Sequence, residues 1–124
     1  MSQSKVLIVE DELIVAEDLK EILLELGYRV TGIAKDIEEA KDILIKKVTD
    51  IVLLDIRLRD GDNGIDLARF IRKNYKLPII FITSYSDKDT IKQAKQVKPD
   101  GYLVKPIEKG DIYSSIEIAL SNFR

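Results

Sequence analysis

Five polar residues stand at or just after the ends of apolar runs in the sequence: Glu10, Asp11, Asp55, Thr83 and Lys105. Together they would supply three carboxylates, a hydroxyl and an ammonium group. Carboxylates that lie close together repel one another, and in a partly desolvated pocket they take up protons unless a cation neutralises them. A hard divalent ion such as Mg²⁺ meets this need, since it prefers oxygen ligands and completes its shell with water and phosphate oxygens.

The lysine and the threonine indicate which reaction such a metal ion would assist. Lys105 and Thr83 can bind phosphoryl oxygens that the metal leaves uncovered. A carboxylate that attacks phosphorus in line would form an aspartyl phosphate, a reaction that depends mostly on positioning and charge neutralisation. Asp55 is the best candidate nucleophile because it ends the most apolar run. We expect Asp11 and Asp55 to bind Mg²⁺ directly and Glu10 to act through water.

Composition excludes several other kinds of site. The sequence has no cysteine and no histidine, so disulfides, thiolate zinc sites and imidazole bases are all absent. The formal net charge is −2 and the basic residues are scattered, which argues against direct nucleic-acid binding by this domain. No apolar run approaches the length of a bilayer span, and the short polar N-terminus lacks a secretory cleavage site. We therefore expect a cytoplasmic protein that does not contact a membrane.

The apolar runs are the strands that would position these residues. We predict strands over residues 5–10, 28–34, 51–54, 77–83 and 101–104. Residues 51–54 are apolar at every position, as expected for a parallel strand covered on both faces. The loop over residues 57–64 carries turn-forming residues.

Helical spacing fills the intervals between the predicted strands. The first helix is expected to end at Gly27 as a left-handed cap. Asp36 with Glu39 predicts a capping box for the second helix, and Ser86 is expected to cap the fourth. The apolar faces are predicted from these residues: Val15, Leu19, Ile22, Leu23 and Leu26; Ile37, Ala40, Leu44 and Val48; Leu67, Ala68 and Ile71; Ile91 and Ala94; Ile112, Ile116, Ala119, Leu120 and Phe123.

Alternation of five strands with five helices predicts an α/β fold in a single domain over residues 1–124. The expected architecture is a doubly wound, five-stranded parallel sheet with right-handed crossovers and helices on both faces, a three-layer sandwich. Ligands bind such sheets outside the carboxyl ends of the strands, near the switch point in strand order. The five polar residues are therefore expected to converge in one pocket. The thinly anchored fourth helix is expected to be weakly held.

Over its whole length the sequence resembles the CheY-like receiver domains of bacterial and archaeal response regulators. The matching pieces are residues 6–11 (VLIVED), 51–55 (IVLLD), 78–83 (PIIFIT) and 101–106 (GYLVKP). Each fragment alone is weakly specific, but four fragments in this order, each covering the end of a strand in an alternating series of strands and helices, are highly specific. The resemblance implies the flavodoxin-like (βα)5 fold and a signalling switch in which a sensor histidine kinase or a small phosphodonor phosphorylates Asp55. Such a domain catalyses only its own phosphorylation and dephosphorylation.

The resemblance also implies a role for each matching residue. Glu10 and Asp11 are the acidic pair, Asp55 is the acceptor, and the backbone carbonyl of Arg57 is the remaining protein ligand of Mg²⁺. Thr83 is the switch hydroxyl, Tyr102 the aromatic rotamer switch and Lys105 the phosphate-binding lysine, while Pro106 can hold a cis bond that turns the lysine inward. Glu10 replaces the commoner aspartate, Ser84 stands where alanine is common, and Arg57 and Tyr85 flank the pocket with bulk.

Other functions remain open at this point. A pseudo-receiver would have the same fold and dock partners without taking phosphate. A haloacid-dehalogenase-like phosphatase requires a second aspartate two residues after its nucleophile, where this chain has Arg57. A flavodoxin requires a Ser/Thr/Gly phosphate loop after its first strand, where Glu10 and Asp11 of this chain would repel phosphate. An output domain, a downstream partner protein, an attached kinase, or a homodimer through the last helices, where Tyr113 and Ile118 are candidates, would each fit the sequence.

Overall fold

A parallel sheet of five strands forms the centre of the protein, in the order β2-β1-β3-β4-β5. The structure is a computed structural model that describes residues 3–123. The strands are β1 (Lys5–Val9), β2 (Arg29–Ala34), β3 (Ile51–Leu54), β4 (Ile79–Thr83) and β5 (Gly101–Val104). The helices are α1 (Leu13–Glu25), α2 (Ile37–Lys46), α3 (Gly64–Asn74), α4 (Lys88–Lys95) and α5 (Lys109–Asn122), with a short 3-10 turn at Arg59–Gly61. This is the predicted doubly wound (βα)5 fold, and β3 is its central strand.

Each face of the sheet is covered by its own hydrophobic core, because successive side chains of a strand point to opposite faces. Leu7 and Val9 of β1 pack with residues of α2, α3 and α4 on one face. Val6 and Ile8 of the same strand pack with residues of α1 and α5 on the other. Every residue of β3 and β4 is buried. The consecutive apolar residues of these strands thus reflect burial on both faces rather than a helical pattern.

One predicted helix end, at Gly27, has the expected geometry, and a second, at Asp36, has it in part. Gly27 adopts φ +93°, its N–H donates to the carbonyl of Leu24 at 3.1 Å, and the N–H of Tyr28 donates to the carbonyl of Leu23 at 2.9 Å. These paired bonds satisfy carbonyls that the end of α1 would leave free. Asp36 accepts from the N–H of Glu39 at 2.9 Å, whereas the Glu39 carboxylate accepts from the N–H of Lys35 rather than from that of Asp36. The capping box therefore closes one residue earlier than the standard motif.

Several boundaries differ from the sequence-based expectations. Glu10 and Tyr28 lie just outside β1 and β2, and β4 begins at Ile79 because Pro78 has no N–H to donate to a ladder. Helical spacing predicts Val48 on the apolar face of α2, but the helix ends at Lys46 and Val48 is 69% exposed. Residues beyond the end of a helix no longer follow helical spacing, so the side chain of Val48 does not lie on the apolar face of α2 and points to solvent.

The expected cap of α4 was wrong, and one residue assigned to the apolar face of the last helix lies just outside it. The cap of α4 is Asp87 rather than Ser86, and the Asp87 carboxylate accepts from the N–H of Thr90 at 3.1 Å. A carboxylate near a helix N-terminus also interacts favourably with the helix dipole. Phe123 follows the last residue of α5 and is 38% exposed, so it lies at the end of the apolar face rather than within the core. As expected, α4 is thinly anchored, since its buried residues are Thr90 and Ala94.

Within residues 3–123, no helix combines the length and apolar character that crossing a membrane requires. Tyr113 and Ile118 of α5 are 47% and 59% exposed. Their exposure is compatible with a homodimer through the last helices, which stays a prediction.

Candidate functional site

The carboxyl edge of the sheet brings together the predicted acidic residues. β1 and β3 are neighbours that pair in parallel up to Val9 and Leu54, so the residues that follow them emerge side by side. Carboxylate oxygens of Glu10, Asp11 and Asp55 all lie within 4.8 Å of one another. Glu10 and Asp55 are buried, and Asp11 is half-buried. The cluster is therefore a set of hard oxygen donors in a partly desolvated place, the donor chemistry that suits Mg²⁺.

Lys105 reaches this cluster from the far side, after β5. Its Nζ lies 2.6 Å from Oε1 of Glu10 and 3.1 Å from Oδ2 of Asp55, and its side chain is 16% exposed. Its backbone N–H donates to the carbonyl of Thr83 at 2.8 Å, which ties the end of β5 to the end of β4. The Lys105–Pro106 peptide bond is cis. One ammonium group thus binds two of the three carboxylates.

Burial dominates the electrostatics of this cluster. Desolvation raises the pKa of Glu10 to about 7, helped by the negative charge of Asp55 and opposed by the hydrogen bond from Lys105. Burial by itself would lower the pKa of Lys105, but the hydrogen bond to Glu10 and the charge of Asp55 outweigh it and raise that pKa. The lysine therefore stays charged at neutral pH, whereas Glu10 sits near its titration point. A single lysine does not neutralise the three carboxylates.

Backbone groups hold Asp55 on both sides. Its N–H donates to the carbonyl of Val9 at 2.9 Å, and its Oδ1 accepts from the N–H of Ile56 at 2.7 Å. Its Oδ2 is the oxygen that faces Lys105. These bonds fix the orientation of the Asp55 carboxylate, so it is already positioned before any ligand binds.

Gly64 lies directly behind Asp55. The Gly64 N–H donates to the carbonyl of Ile56 at 2.5 Å, and a Cβ added to Gly64 would lie 2.0 Å from the backbone oxygen of Asp55. Sequence reasoning treated this glycine as one of the turn formers of the loop and missed its contact with Asp55. The sequence carries no signal for that contact, because the two residues meet only when α3 docks beside β3.

Replacing Gly64 with alanine is expected to destabilise the fold by at least about 2 kcal/mol, because the obstructing atoms are backbone and cannot swing away. Urea unfolding monitored by circular dichroism measures this change. Gly110→Ala is the matched control, since a Cβ at Gly110 in α5 meets nothing within 4 Å and alanine favours helix. The control should be neutral or stabilising. Equal free energies of unfolding for the two variants would contradict the assigned close approach.

The two predicted switch residues are in contact with the same loop. The Thr83 side chain is fully buried, and its Oγ1 lies 3.4 Å from the N–H nitrogen of Tyr85. The Tyr102 hydroxyl donates to the backbone carbonyl of Tyr85 at 2.6 Å, and its ring packs edge-on against Phe81 with centroids 6.0 Å apart. Tyr102 is half-buried. Its ring is therefore held at the surface side of β5 by a residue of the loop after β4.

The remaining predicted pocket residues lie at the rim. Arg57, Ser84, Tyr85 and Pro106 are all exposed. The Arg57 guanidinium carbon lies 4.3 Å from the centre of the Tyr85 ring, a cation–π contact that the sequence did not reveal. The backbone of Arg57 pairs with Asn63 in an isolated bridge. Metal binding by the Arg57 carbonyl stays a prediction.

Comparison with known proteins shows the family to which the sequence is similar. The sequence profile described as "Response regulator receiver domain" matches residues 6–117. Among curated proteins, the transcriptional regulatory protein PdtaR of Mycobacterium tuberculosis is 38% identical over 120 residues, covering 97% of this chain and 58% of PdtaR. The phyllosphere-induced regulator PhyR of Methylorubrum extorquens is 32% identical over 118 residues, covering 94% of this chain and 43% of PhyR. The chain thus spans about half the length of these relatives.

Solved structures agree with the observed fold. The signal receiver domain of a modulated diguanylate cyclase from Desulfovibrio desulfuricans G20 superposes with a TM-score of 0.92 at 39% identity, covering 98% of this chain and 97% of that one. A two-component response regulator from Clostridium difficile gives a TM-score of 0.89 at 30% identity, covering 98% and 99%. Both likenesses extend over nearly the whole of each chain.

Proposed function

The chain belongs to the family of response regulator receiver domains, and from that premise we propose that it is a phosphorylation-dependent signalling switch with Asp55 as the phosphoryl acceptor. The observation that carries the proposal is the setting of Asp55. It is a buried carboxylate oriented by the Ile56 N–H, paired with Lys105 and grouped with two further carboxylates. A sensor histidine kinase or a small phosphodonor would supply the phosphoryl group.

The residues at the site fit a bound Mg²⁺ ion. Asp11 and Asp55 would hold it directly, Glu10 through water, and the Arg57 carbonyl would complete the protein ligands. When bound, the ion supplies positive charge that neutralises the carboxylates and the phosphoryl oxygens. The excess of carboxylates over the one lysine supports this assignment.

The chain's own residues carry the transfer. A carboxylate oxygen of Asp55 forms a bond to phosphorus as the bond from phosphorus to the donor breaks, and the donor leaves with that electron pair. The Lys105 ammonium is already within reach of Asp55 and would stabilise the charge on the transferred group. The buried Thr83 hydroxyl would then bind a phosphoryl oxygen and bias the conformation of the loop that follows it.

The proposal is tested by incubating the protein with a small phosphodonor such as acetyl phosphate, with Mg²⁺ or with a chelator. We expect the intact mass to rise by one phosphoryl group with Mg²⁺ and to stay unchanged in chelator. An unmodified mass under conditions that label a control receiver would instead favour a pseudo-receiver, a docking module that never takes phosphate. Beryllofluoride should likewise bind only with a divalent ion present, and equal binding in chelator would contradict the metal's role.

Mg²⁺ affinity should depend on pH because the ion competes with a proton on Glu10, whose pKa burial raises to about 7. Below that pH the proton must be displaced, so affinity should fall by up to about tenfold per unit for one linked proton; above it affinity should level off. By the same linkage, the metal-free protein should gain stability as pH falls from about 7 towards 4.5, the unfolded value, since folded Glu10 keeps the proton longer.

Calorimetric titration of Mg²⁺ at acidic, neutral and mildly alkaline pH measures this dependence. Glu10→Gln, which cannot titrate at this position, should bind with little change across the same range. A wild-type affinity that does not vary with pH would show that Glu10 is ionised throughout or is unconnected to the metal.

The partners of the chain follow from the same proposal. Phosphorylation would alter the face built from the last two strands and helices and so change binding to an output domain, a downstream protein or a second copy of the chain. Because the curated relatives are longer, their other activities are not assigned to this domain. Apart from catalysing its own phosphorylation and dephosphorylation, the domain is proposed not to be an enzyme. We further propose that it works in the cytoplasm.

A further inference from the structure

Tyr85 joins three parts of the structure that meet around the site. Its ring lies under the Arg57 guanidinium at 4.3 Å. Its carbonyl accepts from the Tyr102 hydroxyl at 2.6 Å, and its N–H nitrogen lies 3.4 Å from Oγ1 of Thr83. Separate groups of one residue thus contact the loop after β3, strand β5 and the end of β4. None of these contacts passes through Asp55.

The Arg57–Tyr85 contact spans the crevice at the site. Arg57 stands two residues after Asp55, and Tyr85 stands two residues after Thr83. β3 and β4 are neighbours in the sheet and pair in parallel up to Leu54 and Phe81. The contact therefore bridges two loops that leave the same edge of adjacent strands. Tyr85 is 40% exposed and Arg57 is exposed, so the contact is not part of either hydrophobic core.

The element that this contact restrains is the start of α4. Its cap, Asp87, follows Tyr85 by two residues, and the helix buries only Thr90 and Ala94. Elements with few buried apolar contacts open locally at low free-energy cost. The contacts of Tyr85 therefore connect the loop over residues 84–87 to other parts of the structure, whereas the side chain of Asp87 bonds to Thr90 within the first turn of α4.

We propose that Tyr85 is a latch that holds the start of α4 in its resting position. The Arg57–Tyr85 pair sets the fraction of unphosphorylated molecules in which the start of α4 is detached from this position. The inference rests on the proposed function for its trigger. A phosphoryl group that takes the Thr83 hydroxyl removes the partner of the Tyr85 N–H. Movement of the Tyr102 ring then breaks its hydrogen bond to the Tyr85 carbonyl. Of the three contacts of Tyr85, the one between its ring and Arg57 then remains. An exposed cation–π pair shifts an equilibrium by roughly two- to fivefold, enough to tune but not to lock the switch.

Amide hydrogen exchange in the unphosphorylated protein tests the latch. The probes are the N–H groups of Tyr85, Thr90 and Ile91, which bond to the Thr83 hydroxyl, the Asp87 carboxylate and the Asp87 carbonyl. Tyr85→Leu and Arg57→Gln should each speed exchange at Thr90 and Ile91 by roughly two- to fivefold. The double variant should exchange no faster than either single variant, because both remove the same contact. Tyr85→Phe keeps the ring and the backbone carbonyl and should exchange like the wild type.

Lys41→Gln is the matched control. Lys41 Nζ lies 4.2 Å from the centre of the Phe70 ring, so this change removes a comparable cation–π contact at the α2–α3 face. It should leave exchange at Thr90 and Ile91 unchanged. Unaltered exchange in Tyr85→Leu, additive effects in the double variant, or equal acceleration in Lys41→Gln would each overturn the latch.

A second experiment, on the phosphorylated protein, tests the trigger independently of the latch. Phosphorylation of the wild type should speed exchange at the same amides, and it should add less in Tyr85→Leu. A protein that takes no phosphoryl group would defeat the proposed function, yet the unphosphorylated comparison would still decide whether the latch exists. A phosphorylated wild type with unchanged exchange at Thr90 and Ile91 would overturn the proposed release of α4.

Discussion

Replacing Asp55 with asparagine is expected to abolish phosphoryl uptake from a small phosphodonor. The substitution keeps the shape of the side chain and the oxygen that accepts the Ile56 N–H, but it removes the anionic nucleophile and one of the two carboxylates that bind Lys105. An amide oxygen is a far weaker nucleophile than a carboxylate, so no residual reaction at this position is expected. Intact-mass spectrometry after incubation with Mg²⁺ and acetyl phosphate gives the result directly.

Asp42→Asn is the matched control, because Asp42 is an exposed carboxylate of α2 away from the sheet edge that carries the site. It should be labelled to the same extent as the wild type. Circular dichroism should show that both variants are folded. Full labelling of the Asp55→Asn variant would place the acceptor elsewhere and remove the assigned role of Asp55, while leaving the fold unaffected.

Replacing Lys105 with glutamine is expected to slow phosphorylation by roughly 100-fold, the usual cost of removing one preorganised group that stabilises transition-state charge. The lysine side chain is largely buried against Glu10 and Asp55, and so its charge acts in a place where water screens it poorly. The rate of mass gain at saturating Mg²⁺ measures the effect. Lys105→Arg keeps the charge but replaces a compact ammonium with a planar fork, and we expect it to restore only part of the rate.

Lys109→Gln provides the comparison for a lysine of the same region that does not reach the site. Lys109 forms an ion pair with Glu25 at 3.1 Å, and both side chains are about half exposed, at 48% and 54%. Exposed pairs of this kind contribute little, so the rate should stay close to that of the wild type. If Lys105→Gln is phosphorylated as fast as Lys109→Gln, the lysine serves only to pair the buried carboxylates.

The setting of Lys105 also has a consequence for the resting state. The short contact between its Nζ and Glu10 means that this lysine, which we propose binds the phosphoryl group, already has carboxylate partners before any phosphoryl group arrives. Glu10 has the longer arm of the two acidic residue types, and this reach allows the contact from the end of β1 to the end of β5. If Lys105 moves to the phosphoryl group as proposed, its release from Glu10 would be part of the free-energy change that accompanies phosphorylation.

The sequence by itself determined the elements and the edge at which the site lies. A run of only four consecutive apolar residues between Asp50 and Asp55 indicates a short strand buried on both faces, and the end of that strand places Asp55 at the edge of the sheet. Gly27 and Asp36 marked helix ends because backbone conformation and capping bonds are local properties of a few residues. Alternation of strands with helices implies a parallel sheet, whose strands end at one shared edge, so the convergence of Glu10, Asp11 and Asp55 was expected, whereas the strand order was not.

Only the tertiary structure decided which groups touch within that edge. The sequence does not contain the contact of Gly64 with the Asp55 backbone, the double pairing of Lys105, or the stacking of Arg57 on Tyr85. Periodicity reports which face of an element is apolar, whereas these contacts depend on how far each loop reaches and where its side chains meet those of another segment. Loop geometry is set by the packing of whole elements against one another, and that packing exists only once the chain has folded.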